Sequence, residues 1–282
     1  MTLAPMLPII VEDAVSRALR EDFGDAGDIT TNATIPADAT NRAVIAARKP
    51  GIVAGVDAAL AAFRLVDQNT VVSVKKGDGT TVKKGDVILS IDGTARAILS
   101  AERVALNFMC HLSGIATATA ALVHEAKGTT AKIVCTRKTT PGLRAFEKHA
   151  VRCGGGHNHR FGLYDAVMIK DNHIVASDGI TKALTAARNT IGHMTKIEIE
   201  VDRLDQLEEA LNNGADVVLL DNMSTDDLRQ AVKINDGRAI LEASGNVTAA
   251  TVRAIAATGV DVISSGWITH SAPNLDLGLD FL

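Results

Sequence analysis

Aromatic residues make up only 3% of the 282-residue chain, which argues against a surface that stacks exposed nucleobases. Cysteines are few: Cys110, Cys135 and Cys153 are odd in number and widely spaced, matching neither a disulfide framework nor a zinc ribbon, so reduced thiols are expected. No apolar run approaches the roughly 18 residues of a membrane span, and residues 1–15 lack the basic and apolar regions of a secretion signal. The expectation is a cytoplasmic protein without a membrane partner. Walker A and G-x-S-x-G patterns are missing, and no G-x-G-x-x-G follows the first strand, which removes the commonest nucleoside-triphosphatase, hydrolase and dinucleotide-binding signatures.

What is present is a globular composition, 46% hydrophobic and 22% charged, enough for one or two domains. Charge is unevenly distributed. The whole chain has net charge −4, yet residues 136–170 hold seven basic residues against only Glu147 and Asp165. A basic island in an acidic chain suggests a compact anionic ligand; nucleic-acid binders spread their basic charge over a face or groove, so no nucleic-acid partner is expected.

Along the chain, helical spacing is expected at 10–20, then a polar turn at 21–28. Short β-branched runs at 43–47, 71–74, 82 and 87–91 alternate with glycine turns and read as a small antiparallel sheet, with a helix over 56–65. A long helical run at 100–123 is expected to break near Ser113-Gly114. Beyond it, apolar runs begin near Lys132, Ala166, Lys196, Val217, Ala239 and Val262, and helical patterns lie at 178–190, 204–212, 225–234 and 248–257. Repeated strand-plus-helix units imply an α/β fold with a parallel sheet. The runs end in Thr136-Arg137-Lys138, Lys170-Asp171-Asn172, Glu198 and Glu200, Asp221-Asn222, Ser244-Gly245-Asn246 and Ser264-Ser265-Gly266. Polar groups at successive strand ends favour a barrel, whose strand ends converge on one mouth.

Three groups of residues carry the chemistry. Arg137, Lys138, His159, Arg160 and Lys170 offer donors for two carboxylates or for phosphates. Any one of them alone is more simply surface charge, but five at strand ends are not. Glu198 and Glu200 share one face of their strand, and Asp221 ends the next; Glu200 and Asp221 suit a Mg²⁺ brought in by a phosphorylated substrate, while Glu198 is as well explained by neutralising a buried cation. The turns at 243–246 and 264–266 follow the last two strands, where barrels hold phosphate on backbone N–H groups. Cys153, His157 and His159 lack a fourth ligand and sit among positive charge, so a zinc site is set aside.

Taken together, Cys135-Thr136-Arg137-Lys138-Thr139-Thr140-Pro141-Gly142, Glu147-Lys148, Gly156-His157-Asn158-His159-Arg160, Gly162-Leu163-Tyr164-Asp165 and Ile169-Lys170-Asp171-Asn172-His173 resemble the quinolinate phosphoribosyltransferase family. Ala101-Glu102-Arg103, Glu198-Ile199-Glu200-Val201, Leu220-Asp221-Asn222-Met223 and Leu241-Glu242-Ala243-Ser244-Gly245-Asn246 extend the likeness over nearly the whole chain. It departs at Trp267, where the family pattern leads one to expect alanine.

The resemblance implies an N-terminal α/β sandwich domain at 1–112 and an incomplete (β/α) barrel of about seven strands at 113–270, with 271–282 packing back on the first. It implies transfer of phosphoribose from phosphoribosyl pyrophosphate to quinolinate with loss of CO2, giving nicotinate mononucleotide in NAD biosynthesis, with Mg²⁺. Thr136, Arg137, Lys138, His159, Arg160 and Lys170 would then hold quinolinate, with Arg103 reaching in from the partner of a homodimer, and higher assembly left open. Lys170, Glu200, Asp221, Ser244, Gly245, Asn246, Ser265 and Gly266 would hold the second substrate, with Lys138, Lys170, Glu200 and Asp221 the catalytic set. Nicotinate phosphoribosyltransferase, a molybdate-associated paralogue and a non-catalytic phosphosugar-binding protein are the alternatives.

Overall fold

Proline at the first turn starts helix α1 (Pro8–Phe23) in the computed structural model, which describes residues 3–282. Asp28 accepts a hydrogen bond from the Thr31 N–H at 2.9 Å and caps α2 (Ile29–Thr34), a short helix in what the sequence presents as the end of a polar turn. Next come β1 (Thr40–Ala47), β2 (Gly51–Ile52), α3 (Val56–Val66), β3 (Val71–Val74), β4 (Thr81–Val82), β5 (Val87–Thr94) and the long α4 (Ala95–Glu125). Then follow β6 (Lys132–Val134), α5 (Arg144–Cys153), β7 (Val167–Ile169), α6 (Asp171–Ala176), α7 (Ile180–Thr190), β8 (Ile197–Val201) and α8 (Leu204–Asn212). The chain closes with β9 (Val217–Asp221), α9 (Thr225–Asn235), β10 (Ile240–Ser244), α10 (Val252–Ala256), β11 (Val262–Ser264), α11 (Trp267–His270) and β12 (Leu277–Phe281).

Two compact units emerge. The first combines the described chain up to Ala120 with Thr140–Gly155 and Ala272–Leu282. Its sheet runs β12-β1-β5-β3, antiparallel throughout, so the last strand of the chain pairs with the first. α4 passes unbroken through Ser113-Gly114, against the expected break. The reason is tertiary: Ser113 Oγ accepts from the Ala54 N–H at 3.0 Å and donates to its carbonyl at 3.1 Å, and a Cβ on Gly114 would stand 2.2 Å from the Pro273 carbonyl. Both residues serve close approach by neighbouring backbone rather than a turn. By length and composition α4 could cross a membrane, a property its polar interruptions hide in the sequence, but most of that stretch is buried within the fold.

The second unit is Ala121–Thr139 with Gly156–Ser271. Its six strands are all parallel, in the order β6-β11-β10-β9-β8-β7, and a parallel bridge between Val134 and His157 adds a seventh segment outside β6. Among the described residues no pairing joins that segment to β7, so the barrel is incomplete. The sheet is nonetheless curled. In a flat sheet the edges β6 and β7 would lie roughly 24 Å apart, whereas Thr136, beyond the end of β6, and Lys170, beyond the end of β7, line one cavity. Alternation along β8 sends Ile197, Ile199 and Val201 into the apolar layer and leaves Glu198 and Glu200 on the opposite face.

Candidate functional site

A cavity of about 780 Å³ lies at the C-terminal ends of the second unit's strands. Each strand delivers its terminal polar residues there because the apolar positions before them are committed to the core.

Beyond β6, Thr136 Oγ1 accepts from the Lys138 N–H at 3.0 Å, and Thr269 Oγ1 donates to the Lys138 carbonyl at 2.8 Å. This bend places Arg137 and Lys138 on the cavity wall. Arg160 reaches the same wall with Nη1 donating to the Ala166 carbonyl at 3.0 Å. Burial, and then the positive charge of Arg137, push the Arg160 guanidinium below its usual pKa. Arg137 Nε and Arg160 Nε are both buried without a hydrogen-bond partner. Two mutually repelling guanidiniums with unmet donors form a site that an anion completes.

Opposite these groups, Lys170 Nζ donates to the Glu200 carboxylate, and the Lys170 N–H donates to His173 Nδ1 at 2.9 Å. Glu200 on β8 and Asp221 on β9 face the cavity from neighbouring strands, with Asn222 Nδ2 donating to Asp221 Oδ2 at 2.9 Å. Their donors are hard carboxylate oxygens, the chemistry a magnesium ion requires. The Asn222 N–H donates to the Ser244 carbonyl at 2.9 Å, tying the β9 turn to the β10 turn, where Ser244, Gly245 and Asn246 line the cavity. Ser265 and Gly266 complete this end, Ser265 donating its N–H to the Val134 carbonyl at 3.0 Å.

A largely buried cluster borders the cavity through His159 and Glu242. His159 Nε2 is 2.9 Å from Glu198 Oε2 and 3.7 Å from Glu242 Oε1, and His159 Nδ1 accepts from the Arg160 N–H at 2.8 Å. Both ring nitrogens are therefore engaged within the protein. Burial, and next the Glu198 charge, push the Glu242 carboxyl up to about 7. Sequence reasoning missed Glu242 as a functional residue. Its only signal was alternation with Ser244 on a strand ending in polar residues. Asn222, Trp267 and His270 also line the cavity without having been assigned a role.

Two sequence groupings separate. Arg103 is exposed on α4 of the first unit, its Nη2 donating to Asn107 Oδ1 at 3.0 Å, and is not among the cavity residues. Cys153 clusters with Asp78 and His149 in the first unit, while His159 clusters with Glu198 and Glu242 in the second, so the three residues of the zinc reading do not form one group.

Residues 28–113 match the quinolinate phosphoribosyl transferase N-terminal domain model, and residues 115–280 match the C-terminal domain model. The chain belongs to the quinolinate phosphoribosyltransferase family. It is 46% identical over 260 residues to a probable nicotinate-nucleotide pyrophosphorylase of Bacillus subtilis, covering 92% of this chain and 89% of that one. Identity to the nicotinate-nucleotide pyrophosphorylase of Mycobacterium leprae is 44%, over 95% and 96% of the two chains. The solved nicotinate-nucleotide pyrophosphorylase of Francisella tularensis superposes with a TM-score of 0.93 at 40% identity, covering 100% of this chain and 99% of that one. As a quinolinate phosphoribosyltransferase family member, the chain has an α/β architecture in which an antiparallel N-terminal sheet accompanies an incomplete parallel barrel.

Proposed function

We propose that this enzyme transfers phosphoribose from phosphoribosyl pyrophosphate to quinolinate and releases the 2-carboxylate as CO2, forming nicotinate mononucleotide for NAD biosynthesis. The observation that carries the reading is the pair of unmet guanidinium donors at Arg137 and Arg160, set in the same cavity as Lys138, Lys170, Glu200 and Asp221. A dicarboxylate satisfies the cationic side, and a phosphorylated ribose satisfies the carboxylate and glycine-rich side.

The site works chiefly by positioning. Thr136, Arg137, Lys138, His159, Arg160 and Lys170 form the quinolinate end and fix its ring nitrogen, itself the nucleophile, toward the ribose. Ser244, Gly245, Asn246, Ser265 and Gly266 hold the 5′-phosphate. As pyrophosphate departs the ribose gains positive charge, and the Glu200 and Asp221 carboxylates stabilise it. The same two carboxylates would hold Mg²⁺, which when bound draws off charge from the leaving pyrophosphate. Attack leaves the pyridine ring cationic; the bond to the 2-carboxylate then breaks, releasing CO2 and leaving its electron pair at C2 beside the cationic nitrogen, where C2 takes up a proton, with Lys138 or Lys170 assisting.

The working unit in this reading is a cytoplasmic homodimer, in which the exposed Arg103 guanidinium enters the partner's cavity as a further carboxylate ligand. The test is incubation of the purified protein with Mg²⁺, phosphoribosyl pyrophosphate and either quinolinate or nicotinate. Nucleotide from quinolinate alone supports the assignment; nucleotide from nicotinate alone contradicts it.

A further inference from the structure

The Glu242 carboxylate has no place in the steps just given, yet it is almost fully buried while bordering the cavity. Glu242 Oε1 and Glu198 Oε1 both lack a hydrogen-bond partner, an arrangement that is costly in a protein interior unless something is gained by it. The two carboxylates come from β8 and β10, on either side of β9, and flank His159 Nε2, Glu198 Oε2 within hydrogen-bond distance at 2.9 Å and Glu242 Oε1 in a looser electrostatic contact at 3.7 Å.

The opposite edge of that imidazole explains the arrangement. Because Nδ1 accepts from the Arg160 N–H, it carries no proton, and the ring's proton resides on Nε2, directed at Glu198 and Glu242. The tautomer is thus fixed from both sides. Arg160 follows His159 directly, and its guanidinium must be held beside that of Arg137 against like-charge repulsion.

We propose that Glu242 is a positioning residue for the reaction: together with Glu198 it clamps the His159 ring, and the ring fixes the Arg160 backbone from which the substrate-facing guanidinium extends. This rests on the functional reading above, in which Arg160 meets a quinolinate carboxylate. Although Glu242 borders the cavity, it acts on quinolinate through His159 and Arg160 rather than by a contact of its own, and it leaves the phosphoribosyl end alone.

The experiment compares wild type, Glu242→Ala and Glu242→Gln by steady-state kinetics in each substrate, with ¹⁵N-histidine NMR of the His159 ring. The clamp predicts a quinolinate KM raised by about tenfold or more in Glu242→Ala with the phosphoribosyl pyrophosphate KM within about threefold of wild type, and recovery of most of that loss in Glu242→Gln, whose amide keeps a polar contact at Nε2. In the wild-type protein it predicts a protonated Nε2 and an unprotonated Nδ1. An equal change in both KM values, or an unchanged quinolinate KM in a folded Glu242→Ala variant, overturns the proposal. So does a proton on Nδ1, a result that stands even where the alanine variant does not fold. Absence of quinolinate turnover by wild type would instead sink the functional reading, and the ring tautomer would still decide the clamp.

Discussion

A Cβ placed on Gly245 would come within 2.1 Å of Asn222 Oδ1. Gly245 also has φ +99°, a left-handed conformation that side-chain-bearing residues rarely adopt, and Asn222 itself sits at φ +53°. Two strand-end turns therefore interlock, and the interlock shapes the end of the cavity assigned to the 5′-phosphate.

Replacing Gly245 with alanine displaces Asn222 and strains the turn. Left-handed strain costs about 1–2 kcal/mol per residue, so the phosphoribosyl pyrophosphate KM should rise by roughly tenfold or more. The quinolinate KM should change little. Steady-state kinetics in each substrate checks this, and an equal rise in both would contradict the division of the cavity.

Arg137 tests the other end. With its Nε buried and unmet and a second guanidinium beside it, the free site is electrostatically strained and the ligand relieves it. Arg137→Ala should lower kcat/KM for quinolinate by about 100-fold or more. Melting temperature should stay the same or rise, because like-charge repulsion with Arg160 is removed. A variant with normal kinetics would remove Arg137 from the site.

Stability should depend on pH through Glu242. Its carboxyl is raised from 4.5 to about 7 in the folded protein. The folded state therefore keeps a proton that the unfolded chain releases, and stability falls as pH rises through this interval, with the loss complete above about 7 and amounting to at most roughly 3 kcal/mol. Glu242→Gln removes that slope. Denaturation midpoints measured between about pH 5 and about pH 8 should show the variant gaining on wild type as pH increases; parallel curves would contradict the assignment.

Much of this arrangement is legible in the sequence where one element decides it. α8 occupies Leu204–Asn212, the range its apolar spacing marks, and the six parallel strands begin within a residue of the predicted runs. Arg137, Lys170, Glu200 and Asp221 could be placed at strand ends because a short apolar run followed by charge has one reading in a parallel sheet. What stayed hidden depends on partners distant in sequence. Gly114 looks like a helix break until the Pro273 carbonyl is seen beside it, and the short α2 needs its Asp28 cap to be recognised as a helix. The contact at Nε2 of His159 depends on Glu198 of β8, and Glu242 acquires meaning only once β8 and β10 are seen to flank β9.

Shared sites make a distinct prediction. If Arg103 serves the partner's cavity, neither Arg103→Ala nor Arg137→Ala dimers should be active alone, while mixed dimers recover one intact site. Activity should return to about a quarter of wild type after random subunit exchange at equal ratio, since half the dimers are mixed and each holds one working site of two. No recovery after confirmed exchange would rule out sharing.

The central claim is decarboxylative phosphoribosyl transfer, and quinolinate labelled with ¹³C in its 2-carboxylate tests it most directly. With Mg²⁺ and phosphoribosyl pyrophosphate, the account predicts one labelled CO2 for each nicotinate mononucleotide formed, and an unlabelled nucleotide. Nucleotide that retains the label, or a folded dimeric protein that forms no nucleotide at all, would contradict it.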